Sequence, residues 1–312
     1  MKQRANNISY KKKRYGISQL ARDWQLWLMI LPAIVVIFIF NYIPMYGIQL
    51  AFREFKFGSL TGGEFVGLKY FKQFVTNYQF PTLMKNTVKL SVSNIIFGFP
   101  APIILALIIN QIKQNKFKRV LQTTVYLPHF ISMVVMVSLL IVLFNSNTGI
   151  IGLFLRNIGL ADKNLIGNTK TFVGVYVASE IWQHCGWNSI IYLSALSSVD
   201  TQLYDAAKID GANRWQVVRY VEIPALIPTI VILFILQMGN ILNTGFEKIF
   251  LLQNNLNLPV SEVITTYTYK IGIESNQFSY ASAIGLFNTA INFVFLIIVN
   301  KISKKAADIS LW

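Results

Sequence analysis

Polar residues that share one helix face inside long apolar runs are the first candidates for chemistry in this sequence. Glu180, His184 and Trp187 stand at i, i+4 and i+7 within the apolar run 172–195, so a helix there puts all three on one side. Gln237, Asn240 and Thr244 repeat the arrangement in and just past the run 224–243, and Asn288 and Asn292 lie one turn apart in the run 281–300. Counted from the ends of the runs, these positions fall between the middle of a bilayer and its outer leaflet. Neutral amides beside aromatic rings suit a sugar, whose hydroxyls need hydrogen-bond partners and whose apolar faces stack. The same side chains also suit hydrogen bonding between helices, a common use of polar groups in membranes. Both readings stand at this point. Glu180 reads first as a structural residue, although a carboxylate inside a span is always a functional candidate.

Little is left for catalysis. Histidine occurs twice, as His129 and His184 in different runs, and cysteine once, as Cys185. A single cysteine excludes a disulfide framework and a Cys-based zinc site. The sequence holds neither His-Glu-x-x-His nor the Gly-x-x-x-x-Gly-Lys-Ser/Thr loop that cradles nucleotide phosphates. His184 can titrate, but nothing beside it builds a proton relay; His129 and Cys185 read as packed residues. The chain is therefore expected to be no enzyme, with no catalytic residue, no metal and no cofactor bound by itself.

The elements that must position these residues follow from composition. Of the 312 residues, 54% are apolar and 13% charged, yet the formal net charge is +15. Basic soluble proteins suggest nucleic acid, but a soluble protein cannot hide this much apolar surface, so nucleic acid is excluded as a partner and membrane lipid is expected. Six runs are long enough to cross a hydrocarbon core of roughly 30 Å: 24–45, 87–110, 121–145, 172–195, 224–243 and 281–300. Lys89 and Glu180 are the only formal charges inside them. The reading is all-α, a polytopic membrane protein with six transmembrane helices. The first run follows a basic stretch of 23 residues and has no small-residue cleavage site behind it, so it reads as a span rather than a signal peptide. Trp24, Trp27, Tyr42 and Tyr46 suit its interfacial ends. Lys and Arg number 17 in the tail, 111–120, 196–223 and the C-terminal end, against 10 in the longer segments of the other side. That asymmetry places both termini in the cytoplasm. The outer segments read as structured loops, with 68–75 as a short packing helix. The domains expected are a basic cytoplasmic tail (1–23), the first span with its outer loop (24–86), a five-helix core (87–303) containing a cytoplasmic loop at 196–223, and a C-terminal tail (304–312).

That loop is unusual. Asp200 is a plausible N-cap for a helix through Leu203, Ala206, Ala207 and Asp210. Gly211 permits a sharp turn or a close backbone approach. A second amphipathic stretch presents Trp215, Val218 and Val221 on one side, and Pro224 opens the next span, where a missing N–H is harmless. A helix of small residues, a glycine and a second helix suit a groove on another protein, with Asp205, Lys208, Asp210, Arg214 and Arg219 fixing the register.

The spacing Asp205-Ala206-Ala207, three residues, Gly211, nine residues, Val221-x-Ile223-Pro224 resembles the EAA loop of binding-protein-dependent ABC import permeases, with Asp for Glu, Val for Ile and Ile for Leu. The flanks Trp182–Asn188 and Tyr192–Leu196, with the run Tyr204–Trp215, look like its carbohydrate-import branch. The segment Asn41–Phe52 and the ending Ser310-Leu311-Trp312 resemble a narrower group that imports complex oligosaccharides. The resemblance covers nearly all of the chain past the tail and implies a type I ABC importer permease (maltose-permease-like) fold in a bacterial cell membrane. It implies that Tyr204, Asp205, Ala206, Ala207, Lys208, Asp210, Gly211, Ala212, Arg214, Trp215 and Pro224 couple the chain to separate ABC ATPase subunits, which would hold ATP and Mg. A second related permease subunit, an extracellular solute-binding protein and an oligosaccharide moved inward by alternating access are implied as well. The loop must then be cytoplasmic, which agrees with the independent charge count. An amino-acid, peptide or ion importer of the same superfamily is the alternative. An ion-coupled secondary transporter is less favoured, because one buried acid is too few.

Overall fold

A computed structural model describes residues 24–58, 62–159 and 165–312. The basic tail 1–23, with its share of the charge asymmetry, lies outside the described residues. The chain divides into two compact units between Gln49 and Leu50.

In the first unit, α1 (Trp24–Ile37) passes through a π turn (Phe38–Tyr42) and a short turn around Pro44 into a 3₁₀ segment (Tyr46–Phe52), within which the unit ends. The helical path Trp24–Phe52 is thus longer than the run 24–45 expected from hydropathy.

The second unit opens with an antiparallel bridge between Arg53 and Phe65. The short helix α2 (Lys69–Val75) follows, then α3 (Phe80–Ser93), a π turn (Asn94–Gly98) and α4 (Pro100–Asn110). Phe80–Asn110 is one path of 31 residues, so this span begins seven residues before the expected 87. Three later helices also match expected spans: α8 (Phe172–Ser197), the path Arg214–Met238 and the last helix, Phe278–Ala307.

The run 121–145 departs from expectation. It divides into α5 (Asn115–Tyr126), a 3₁₀ turn (Leu127–Phe130) and α6 (Met133–Leu143), with a bend of 99°. Pro128 sits in the first turn of the 3₁₀ segment, and the Ser132 side chain accepts from the Val135 N–H to start α6 afresh. At 1.5 Å per residue the 11 residues of α6 rise only about 16 Å, half a hydrocarbon core. Among the described residues four helices are long and apolar enough to cross a membrane, or five if the bent pair counts as one. Helix α8, at 26 residues, has the length, but Glu180, Gln183, His184 and Asn188 dilute its hydropathy.

The remaining elements are short. They are α7 (Ile150–Asn157), the loop helices α9 (Thr201–Ile209) and α10 (Arg214–Val217), and a π turn (Val218–Glu222) into α11 (Ile223–Met238). Then α12 (Phe246–Leu252), α13 (Leu258–Ser261) and α14 (Ile264–Tyr269) precede α15 (Phe278–Ala307). Asp308, in a left-handed conformation, ends α15, and Asn300 Oδ1 accepts from the Leu311 N–H at 2.8 Å, tying the last residues back onto the helix.

Three apolar clusters hold the unit together, with α8 in two of them. Phe172, Tyr176 and Val177 pack with Met136, Val137 and Leu140 of α6 and Ile249 and Leu252 of α12. Tyr192 and Leu196 pack with Ala106 of α4 and Leu226 of α11. The third cluster joins Phe74 of α2, Leu83 of α3 and Tyr280 and Ile284 of α15, so the segment 68–75 is a packing helix as its sequence suggested.

Helix α8 crosses α5 at Gly186, where a Cβ would stand 1.9 Å from the Val125 carbonyl oxygen. Gly186→Ala is expected to cost about 1–3 kcal/mol and to lower the thermal midpoint in detergent. Gly174→Ala on the same helix, where a Cβ meets nothing within 4 Å, leaves it unchanged or raised. Equal midpoints would contradict this packing.

Candidate functional sites: a capped loop and a polar cavity

The loop 196–223 is built by its own caps. The Asp200 side chain accepts from the Gln202 N–H at 2.9 Å and starts α9, as its position suggested. Gly211, at φ +72°, ends it: the Ala212 N–H donates to the Ala207 carbonyl at 2.9 Å and the Gly211 N–H to Lys208 at 3.1 Å. These two bonds are the Schellman closure, which needs the left-handed backbone that glycine adopts freely. Asn213 and Gln216 then form a reciprocal capping box for α10. Pro224 sits in the first turn of α11, but the helical path already begins at Arg214, so it follows a π turn rather than a loop.

The loop shows apolar side chains to solvent. Leu203 is 54% exposed, Ile209 86% and Trp215 68%. Of the side expected to carry Trp215, Val218 and Val221, Val218 is buried and Val221 half-buried, while Trp215 is open to solvent. Asp205 and Lys208 pair with each other at 2.9 Å on the open surface of α9. Ala206, Asp210 and Arg214 are exposed, and Ala207 and Ala212 half-buried. Tyr204 turns inward, and burial followed by the charge of Glu222 pushes its phenol above the usual range.

A cavity of about 520 Å³ lies between α3, α8 and α11 and is lined by Glu180, His184, Gln237, Asn240 and Thr244 of the expected faces, together with Asn188. That size falls within the usual range of small-molecule sites. The Thr244 hydroxyl is buried without a hydrogen-bond partner. Asn243, also lining it, donates to Asn240 Oδ1 at 3.3 Å.

The remaining expected residues lie elsewhere. Trp187 stacks on His129, with ring centroids 4.5 Å apart and planes at 3°. The Asn288 amide donates to Asn243 Oδ1 at 2.8 Å from behind the cavity wall. Asn292 Oδ1 accepts from the Leu242 N–H at 3.0 Å. Asn288 and Asn292 thus bond one segment to another, the second of the two readings open to the sequence.

Glu180 anchors a chain of polar contacts. Its Oε2 accepts from Lys248 Nζ at 2.9 Å and its Oε1 lies 3.4 Å from His184 Nε2. His184 Nδ1 in turn lies 3.2 Å from His129 Nδ1, so one of those two nitrogens donates and the other accepts. Lys248 is 1% exposed and stands over the Tyr176 ring at 5.2 Å. Sequence reasoning counted Lys248 as an outer-loop charge and missed it. The available signal was Glu180 itself, since a carboxylate in hydrocarbon calls for a cation. Asn188 and Asn243 carried no signal beyond their polarity.

Comparison with known proteins adds independent findings. Residues 98–308 match the family described as binding-protein-dependent transport system inner membrane component. The polygalacturonan/rhamnogalacturonan transport system permease protein YteP of Bacillus subtilis is 40% identical, over 96% of this chain and 93% of that protein. Protein LplB of the same organism is 37% identical, over 93% and 92%. A chain in the crystal structure of a bacterial ABC transporter involved in the import of the acidic polysaccharide alginate superposes with a TM-score of 0.85 at 36% identity, covering 93% of this chain and 98% of that one. A second structure, of the alginate transporter in complex with an alginate pentasaccharide-bound periplasmic protein, gives 0.85 at 35% identity over 94% and 99%.

The Glu180–Lys248 pair has a stability consequence. Lys248→Met leaves the carboxylate without its cation and is expected to cost about 3–5 kcal/mol, whereas pairing it with Glu180→Gln recovers most of the loss. Thermal unfolding of the single and double variants in detergent checks this; a double variant no more stable than the single one would contradict it.

Proposed function

The chain belongs to the binding-protein-dependent transport system inner membrane component family, and from that premise we propose that it moves an oligosaccharide inward under the drive of separate ATPase subunits. Membership makes it a transport subunit of a multi-pass bacterial membrane system. The oligosaccharide reading draws support from relatives named for polysaccharide transport and from the neutral amides and unpartnered Thr244 hydroxyl around the cavity. Such groups answer sugar hydroxyls. The charges at the wall are already matched as Glu180 with Lys248.

The observation that carries the coupling assignment is the exposed, self-capped helix–glycine–helix loop. Leu203, Ile209 and Trp215 stand in water on a segment too well capped to be a loose connection. A protein groove is the natural cover for them. ATP, with Mg, would bind the ATPase partners; closing those partners would draw the loop helices together and rock the spans from inward-facing to outward-facing. A second related permease would complete the path, an extracellular solute-binding protein would deliver cargo, and both termini would lie in the cytoplasm. Gln237, Asn240, Thr244 and His184 would meet the sugar, while Glu180 holds the wall in shape.

Gly211→Asp is expected to abolish ATP-driven uptake while membrane insertion, read by the amount of permease in isolated membranes, stays normal. Normal uptake by that variant would sink the coupling assignment. Binding of an oligosaccharide panel to the cognate extracellular receptor identifies the cargo, and exclusive binding of amino acids or peptides would overturn the carbohydrate reading.

A further inference from the structure

Glu222 is buried to 0% exposure at the point where three elements meet. It is the last residue of the π turn that leads into α11. Its Oε1 accepts from Asn110 Nδ2 at 2.6 Å and from Gln111 Nε2 at 2.8 Å, at the end of α4. Its Oε2 is buried without a hydrogen-bond partner, and no Lys or Arg among the described residues pairs with it. The Tyr204 hydroxyl of α9 is also buried without a bond of normal geometry, and its polar neighbours are Glu222 and Asn110. A donor and an acceptor, each unsatisfied, thus stand side by side. Leaving either so is costly, and one bond satisfies both.

We propose that Tyr204 and Glu222 form a clamp that closes when α9 is pressed toward the membrane helices, carrying its movement into α4 and α11. The inference rests on the reading of α9 as the helix that meets the ATPase. Tyr204 O–H is the donor and Glu222 Oε2 the acceptor; the raised phenol keeps its proton for that role. Helix α9 has few other ties: none of its residues is fully buried, Asp205 and Lys208 bond each other, and its ends are capped from within the loop. Tyr204 is therefore the handle by which α9 pulls on the body of the protein. Glu222 distributes the pull, because the same carboxylate bonds the end of α4 and belongs to the turn that starts α11. The π turn carries one residue more per turn than an α-helix, a feature frequent at functional sites, and offers the slack a shift of α9 requires. Both are positioning residues: neither touches cargo or nucleotide.

The test uses the intact importer, co-expressed with its ATPase and partner permease, reconstituted in proteoliposomes and supplied with cargo-loaded binding protein. Uptake and ATP hydrolysis are measured together for Tyr204→Phe and Glu222→Gln. The clamp predicts that the ATPase stays associated and keeps hydrolysing, while cargo moved per ATP falls about tenfold. Tyr204→Phe removes one hydroxyl at a half-buried position, so it is the variant that keeps the fold. Glu222→Gln keeps an acceptor for Asn110 and Gln111 and turns the atom facing Tyr204 into an amide donor, which reverses the bond to the phenol oxygen, so Tyr204→Phe is the deciding variant. Unchanged cargo per ATP in Tyr204→Phe would overturn the clamp. So would uptake and hydrolysis falling in proportion, the signature of a structural role alone. A wild-type permease that fails to retain the ATPase would instead overturn the coupling reading of α9, and the clamp with it.

Discussion

Hydrocarbon supplies no hydrogen-bond partner, so every polar group carried across a membrane must find one inside the protein or face a water-filled cavity. Around Glu180 that requirement shapes the second unit. The carboxylate draws Lys248 out of the segment between α11 and α15 and buries it, and burying Lys248 fixes α12 against α8 and α6. His184, held beside the same carboxylate, meets His129 at the end of the 3₁₀ turn, just before the chain bends into α6. The close crossing at Gly186 brings α5 against α8 two residues further along. One charge pair thus positions the wall of the cavity, the bend beside it and the short helix α12.

With those charges matched to each other, the cavity offers neutral donors and acceptors. Gln237, Asn240 and Thr244 face it, while Asn288 and Asn292 brace the segment that carries them. Amides of one type serve both purposes, and their position relative to the wall decides which. The loop at the other end is governed by the opposite circumstance. There water is available, the caps are local, and apolar side chains are the ones left without partners.

Features encoded locally were legible in the sequence. The N-cap at Asp200 and the turn at Gly211 each depend on neighbours within a few residues, and the structure forms them where the pattern put them, whereas Pro224 lies ten residues inside a helical path that begins at Arg214. Long apolar helices were legible for the same reason, apart from their ends: Phe80–Ser93 is mixed in character and hydropathy alone does not extend the span back to it. The bend in 121–145 was hidden by continuous hydrophobicity, although Pro128 and Ser132 marked its place. Trp187 shares the stripe of Glu180 and His184, but helix spacing does not show that its ring stacks on His129 instead of lining the cavity. Which partners Lys248, Asn243 and Glu222 take was illegible, because those partners lie 68, 45 and 112 residues away. Only the folded chain brings such pairs together.

The central claim is that cargo crosses beside this polar wall only when energy enters through the capped loop. Uptake of labelled oligosaccharide into proteoliposomes holding the complete importer tests it most directly, with ATP and the binding protein supplied or withheld and ion gradients imposed or collapsed. The account predicts accumulation that needs both ATP and the binding protein and persists when every ion gradient is collapsed. Accumulation driven by an ion gradient without ATP would contradict it.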